Sequence, residues 1–205
     1  MTLRDNTGAG RALRIGGVLA AITLLSACIS FGPETPDQLI SLTPDQRAPE
    51  GEMASGAVGD AIVVLDPDTD RRLDVLRVPV QIDGSSVAYV KDATWVEKPA
   101  RQFRSLLAET LRARTGRVVV EGGDFEVGGS LTVSGRLIDM GFDARQQAVV
   151  VRYDALVEDQ SNTVRARRFV ATVPGVVAES AAVAPALNQA ANQVAKDVTA
   201  WIVGG

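Results

Sequence analysis

Residues 99–116 read PARQFRSLLAETLRARTG and carry the clearest helical pattern ahead of the C-terminus. Proline is well tolerated at the first helical position, and Gly116 stands where glycine commonly ends a helix. Between them, side chains suited to a core recur at steps of three and four residues, as on one face of an amphipathic helix. The segment therefore predicts a helix over about 99–115, whose buried face carries Phe103, Leu106, Leu107, Thr110 and Leu111.

The sequence on either side of this helix has strand patterns. Ala61–Leu65 is a mostly β-branched run that favours a buried strand. After residue 130, three longer segments alternate apolar and polar side chains, and short polar linkers between them predict an antiparallel meander. An alanine-rich stretch then predicts a second helix over about 178–203, in which Pro185 either bends the helix or marks its start.

These elements together define the expected fold class. It is α+β, a mainly antiparallel sheet with a central helix at about 99–115 and a C-terminal helix at about 178–203 packed on it. A single domain over residues 61–205 accounts for all of them.

The N-terminus has the pattern of an export signal. Three arginines stand against one acid in residues 1–14, and an uncharged, mostly aliphatic run follows to Leu25. This run is about half the ~20 residues that a membrane-spanning helix needs. Leu25-Ser26-Ala27-Cys28 resembles the lipobox of bacterial lipoproteins. That resemblance implies removal of residues 1–27 and a diacylglycerol and an N-acyl chain on Cys28; an ordinary secreted protein is the alternative.

Residues 28–60 have the composition of a tether. Four prolines, several glycines and scattered acids lie there without sustained periodicity, so this segment is expected to be extended and mobile. Gln38–Leu42 is the exception, as a short apolar patch able to pair as an edge strand.

Composition excludes several classes of chemistry. The chain has no histidine and one cysteine, which removes Ser-His-Asp catalysis, histidine-ligated zinc and, once Cys28 is acylated, thiolate chemistry. No catalytic residue, metal site or cofactor beyond the acyl chains is predicted. Loss of residues 1–27 changes the net charge from −4 to about −6, and such an acidic domain is a poor candidate for nucleic-acid binding.

Tyr89, Trp95, Pro99 and Phe103 follow the spacing Y-x5-W-x3-P-x3-F, which Leu107 and Leu111 continue. Each residue also has an ordinary packing explanation. Together with the lipobox, a Val-rich first strand and an Ala-rich C-terminal helix, the motif resembles the ABC-type transport auxiliary lipoproteins, which include the PqiC-like proteins. The likeness covers roughly residues 28–203. That family usually has a Tyr-x-Leu element soon after the cysteine, and Gln38–Leu42 lacks the tyrosine.

The resemblance implies a non-enzymatic protein that serves a transport system for lipids or other hydrophobic molecules. Its implied partners are an MCE-type substrate-binding protein, an ABC permease and an ATPase. The chain has no G-x4-G-K-[ST] loop, so ATP hydrolysis falls to a partner. Ile29, rather than aspartate, follows the cysteine, and by the family's sorting pattern this favours the outer membrane, with the domain facing the periplasm.

Arg165, Arg167 and Arg168 form a basic run that is a candidate docking patch for an acidic partner. The alternative is a solvated strand face, which is the more common reason for such a run. At the level of function, an anchored assembly factor or regulator of a cell-wall or secretion machine is also open. The sequence leaves a homo-oligomer open as well.

Overall fold

The helix predicted from residues 99–116 forms over Pro99–Thr115 in a computed structural model that describes residues 38–51, 54–122 and 129–204. Proline stands at its start, and Gly116 ends it in the left-handed conformation (φ 62°) with its N–H donating to the carbonyl of Arg112. The second helix forms over Ser180–Gly204, so Pro185 lies inside it and does not mark its start. Both predicted helices are confirmed.

Seven strands and two α-helices, with one short 3-10 helix at Val58–Asp60, lie within the described residues. In chain order, they are β1 Ile62–Val64, β2 Arg77–Gln81, β3 Val87–Thr94, α1 Pro99–Thr115, β4 Val119–Glu121, β5 Leu131–Asp143, β6 Ala148–Asp159, β7 Val164–Pro174 and α2 Ser180–Gly204.

Strand β5 joins the two parts of the sheet. One edge of β5 pairs antiparallel with β6 along its length, and β6 pairs antiparallel with β7, which confirms the predicted meander. The other edge of β5 pairs with β1 at Leu131–Val133 and with β2 at Phe142 and Asp143. Strand β3 then flanks β2, and β4 flanks β1.

The sheet is mixed, which corrects the expectation of a mainly antiparallel one. Strand β1 runs parallel to both β4 and β5, and β2 runs parallel to β5. The parallel arrangement has a physical basis in the chain path, because a crossover connection that includes α1 carries the chain back to place β4 beside β1. Ile62, Val63 and Val64 are all buried, as in a strand that is covered on both faces.

Both helices pack on the same face of the sheet. Helix α2 lies against β6 and β7 and against α1, and α1 also contacts β1 and β4. Phe103 of α1 meets Tyr153 of β6 with ring centroids 5.0 Å apart. Burial raises the pKa of Tyr153, and its protonated hydroxyl donates to the carbonyl of Ser134 over 2.6 Å. Among the described residues, no helix is both long and apolar enough to span a membrane.

Gly135 marks the tightest approach between β5 and β6. Its φ is +146°, a conformation that L side chains rarely adopt, and a Cβ there would collide with the carbonyl oxygen of Asp154. Glycine is therefore required at this point of the long strand.

We expect Gly135→Ala to lower the free energy of unfolding by about 2 kcal/mol or more, because it adds both backbone strain and a clash with a neighbouring strand. Chemical denaturation measures the change. Gly84→Ala is the matched control, since a Cβ at that turn meets no atom within 4 Å. Equal stabilities of the two variants would contradict the interpretation.

Candidate functional site: a docked strap and a basic edge strand

The lipobox Leu25-Ser26-Ala27-Cys28 lies outside the described residues. The description begins at residue 38, and residues 38–48 are here called the strap. Ile40 of the strap forms a parallel bridge with Trp95, just beyond the end of β3. Its N–H donates to the carbonyl of Thr94 over 2.7 Å, and its carbonyl accepts from the N–H of Val96 over 2.9 Å. The apolar patch Gln38–Leu42 thus pairs through Ile40, which is itself buried.

Beyond Ile40, the strap is held by polar side chains of both helices. The oxygen of the Gln102 amide on α1 accepts from the N–H of Leu42 over 2.9 Å. On α2, the amide oxygen of Asn188 accepts from the N–H of Thr43 over 2.8 Å. The amide oxygen of Asn192 accepts from the N–H of Asp45 over the same distance. Further along, Glu109 of α1 accepts from the N–H of Ala48 over 2.9 Å. Side chains from the two helices therefore hold the strap to both.

Asn192 is the most buried member of this set, with 2% of its surface exposed. Its amide oxygen accepts from Asp45, and its amide nitrogen donates to the carbonyls of Thr43 and Asn188, each over 2.9 Å. A buried amide without partners costs about 1–3 kcal/mol. The strap therefore supplies the partner of the Asn192 amide oxygen and one of the two acceptors for its amide nitrogen, whereas the half-exposed Lys196–Asp45 ion pair adds little.

The sequence places residues 28–60 in a mobile tether and starts the domain at residue 61. The strap changes this boundary, because Ile40 pairs beside the end of β3 and hydrogen bonds from Leu42 to Ala48 hold the following residues to the helices. The partners were not evident from sequence, since polar residues on an amphipathic helix ordinarily face water.

We expect Asn192→Leu, which keeps the branched shape of the side chain but removes its hydrogen bonds, to lower the free energy of unfolding by about 1–3 kcal/mol. The same change should speed trypsin cleavage after Arg47, an exposed strap residue that precedes Ala48, whose N–H is bound by Glu109. Gln189→Leu is the control, as an exposed position on the same helix. If both variants match the parent in stability and cleavage rate, the strap is not held as described.

The family motif lies mainly in the core. Trp95 is 1% exposed, Phe103 is fully buried, and Pro99 is buried at the start of α1. Tyr89 is only partly buried; it lies opposite Pro79 in β2, and the guanidinium of Arg77 stands 3.8 Å from its ring centroid. The structure thus brings Trp95 and Phe103 into one core and sets Tyr89 apart from it.

The predicted basic patch is divided between the two faces of β7. Arg168 lies on the face away from the helices and binds both carboxylate oxygens of Asp154, at 2.6 and 2.7 Å. These bonds lower the pKa of Asp154 and raise the pKa of Arg168. Arg165 and Arg167 lie on the face of Phe169, whose ring packs against Trp201 of α2. The strand alternation of the sequence was the signal for this division.

The face of the sheet away from the helices also carries a second ion-pair cluster, which the sequence analysis did not find. Arg72, from the loop before β2, pairs with Asp139 over 2.7 Å and with Asp70 over 3.0 Å. Arg152 reaches the other oxygen of Asp139 over 2.7 Å. A concavity of about 310 Å³ lies here, and its central charges are paired. The described residues contain no cluster suited to hold a metal ion.

Solved proteins share the fold of this chain, in which helices cover a mixed sheet. Protein XCC0632 from Xanthomonas campestris has a TM-score of 0.64 at 19% identity, over 82% of this chain and 96% of that one. A structure described as an uncharacterized protein has a TM-score of 0.62 at 15% identity, over 80% and 99%. At these identities, the likeness establishes the fold alone. A search of curated proteins found no match.

The sequence matches the family described as "ABC-type transport auxiliary lipoprotein component" over residues 41–199. This match covers most of the chain, and the chain belongs to that family. The resemblance drawn from the motif and the N-terminus is thereby confirmed. The matched range begins at residue 41, inside the strap.

Proposed function

We propose that this chain is a lipid-anchored, non-catalytic subunit that holds one end of an ABC/MCE-type transport system at the outer membrane, with its domain in the periplasm. Family membership supports the auxiliary role, and the Leu25–Cys28 sequence supports the anchor. The expected covalent additions are a diacylglycerol and an N-acyl chain on Cys28. More than one chain matters, because a single acyl chain gives marginal membrane binding.

The docked strap is the structural observation that carries the proposal. Gln38, where the described chain begins, follows Cys28 by ten residues. A fully extended chain of this length spans at most about 35 Å. Because hydrogen bonds hold the strap to both helices, the free tether ends at the strap rather than near residue 60. The domain would therefore stand close to its membrane in a restricted range of orientations.

A positional role follows from this arrangement. The partners proposed are an MCE-type substrate-binding protein, which reaches across from the inner membrane, and the permease and ATPase of the same system. ATP hydrolysis belongs to that ATPase, since the chain has no phosphate-binding loop motif. The cargo would be a lipid or another hydrophobic molecule.

We expect Cys28→Ser to abolish incorporation of a palmitate analogue and to move the protein from the membrane pellet to the soluble fraction. Ser26→Ala is the matched control, because it keeps a small residue in the lipobox and should preserve both properties. Metabolic labelling and cell fractionation measure the outcome. If Cys28→Ser still pellets with the outer membrane, the anchor is not at Cys28.

The partner proposal has its own test. In-cell crosslinking of the parent chain should recover an MCE-type protein together with a permease and an ATPase, and Cys28→Ser should weaken that recovery. Recovery of cell-wall synthases in their place would contradict the transport role.

A further inference from the structure

Strand β7 lies at an edge of the sheet and, within the described residues, pairs only with β6. It is 11 residues long, and its side chains Val164 and Val170 are 52% and 47% exposed. A long, exposed edge of this kind presents a row of backbone N–H and C=O groups to which another strand can add. Proteins commonly shield such edges or use them for recognition by strand addition.

A groove of about 590 Å³ runs between this edge and the C-terminal part of α2. Its lining is mainly polar, with Arg167 and Arg168 among the residues that form it. The rings of Phe169 and Trp201, with centroids 5.6 Å apart, are part of its apolar portion. One acid, Asp197, also lines the groove and accepts a hydrogen bond from Gln193. A strand added to β7 would place every second side chain over this groove.

Two guanidinium groups stand along the same side of β7. Arg165 lies 5.2 Å from the ring centroid of Trp201, and Arg167 lies 5.2 Å from that of Phe169. Among the described residues, neither has a carboxylate within salt-bridge distance, whereas the adjacent Arg168 is fully engaged by Asp154. Contact with the rings holds both cations beside the groove without neutralising them.

We propose that β7 takes an acidic, extended segment of a partner protein as an added strand. The alternation of β7 sets the sequence that fits: two acidic side chains at alternate positions, opposite Arg165 and Arg167, and an apolar one opposite Phe169. Backbone pairing supplies the affinity, and the two arginines supply the selectivity for acids. This interaction requires neither the lipid anchor nor a particular transport system.

Charge distinguishes this occupant from a second copy of the chain. Two β7 strands paired about a two-fold axis would bring Arg165 and Arg167 of both copies onto one face, where like charges repel. An anionic lipid headgroup would satisfy the guanidinium groups but would leave the backbone edge of β7 unused. An acidic strand satisfies both features at once.

The test uses the full chain in neutral phosphatidylcholine vesicles and a fluorescent peptide with one valine and two glutamates at alternate positions. Fluorescence anisotropy should show saturable binding that falls at least about tenfold in Arg165→Glu/Arg167→Glu. The matched control Arg71→Glu/Arg145→Glu changes the same charge at exposed arginines elsewhere and should bind normally. A peptide with lysines in place of the glutamates should not bind.

Strand addition is tested separately from charge. Two further peptides carry N-methyl groups on alternate backbone amides, one peptide on the odd positions and the other on the even positions. Only one of these two sets of N–H groups can donate hydrogen bonds to β7. Loss of binding for just one of them supports an added strand. Equal binding by both peptides would overturn the proposal, as would displacement of the peptide by a short-chain phosphatidylglycerol. A dimer that depends on Arg165 and Arg167, seen by analytical ultracentrifugation in a chain that does not bind the peptide, would also overturn it.

Discussion

A side-chain amide that leaves water needs partners inside the fold, and Asn192 finds them on the strap. Its oxygen and nitrogen both bond to the backbone of residues 43–45, while Gln102 does the same for Leu42 from the other helix. Together with the buried Ile40, these bonds make the strap part of the domain. The strap in turn gives partners to amide groups that are buried in the folded chain, so the strap and the helices stabilise each other.

The same constraint links the fold to the proposed function. An acyl anchor transmits position only as far as the chain beyond it is stiff, and a long flexible tether would leave the domain free to turn. Docking at Ile40 and at the helices shortens the free tether and directs it from the end of β3. Strand β7 lies beyond β5 and β6 in the sheet, away from β3, so its edge is separated from the edge at which Ile40 of the strap docks.

The parts of the structure that could be predicted were those encoded by local periodicity. Both helices and the β5–β6–β7 meander follow from spacing within single segments, as does the division of Arg168 from Arg165 and Arg167. The parallel pairing of β1 was not predicted, although its unbroken apolar run is typical of a strand covered on both faces. The apolar patch Gln38–Leu42 indicated a segment able to pair, but its hydrogen bonds to the helices were not predicted, because Leu42 and Gln102 are 60 positions apart, and Thr43 and Asn188 are 145 apart. Contacts between residues so far apart leave no periodic pattern in the sequence.

Amide hydrogen exchange of the strap tests the central claim most directly. The N–H groups that the helices hold should exchange far more slowly than those of Ser41 and Gln46, for which the described residues provide no acceptor. Protected and unprotected N–H groups in neighbouring positions of this short segment would match the hydrogen bonds between the strap and the helices. The protected N–H groups expected are those of Leu42, Thr43, Asp45 and Ala48. Uniform exchange of the whole strap at the rate of an unstructured peptide would contradict the claim that the helices hold it.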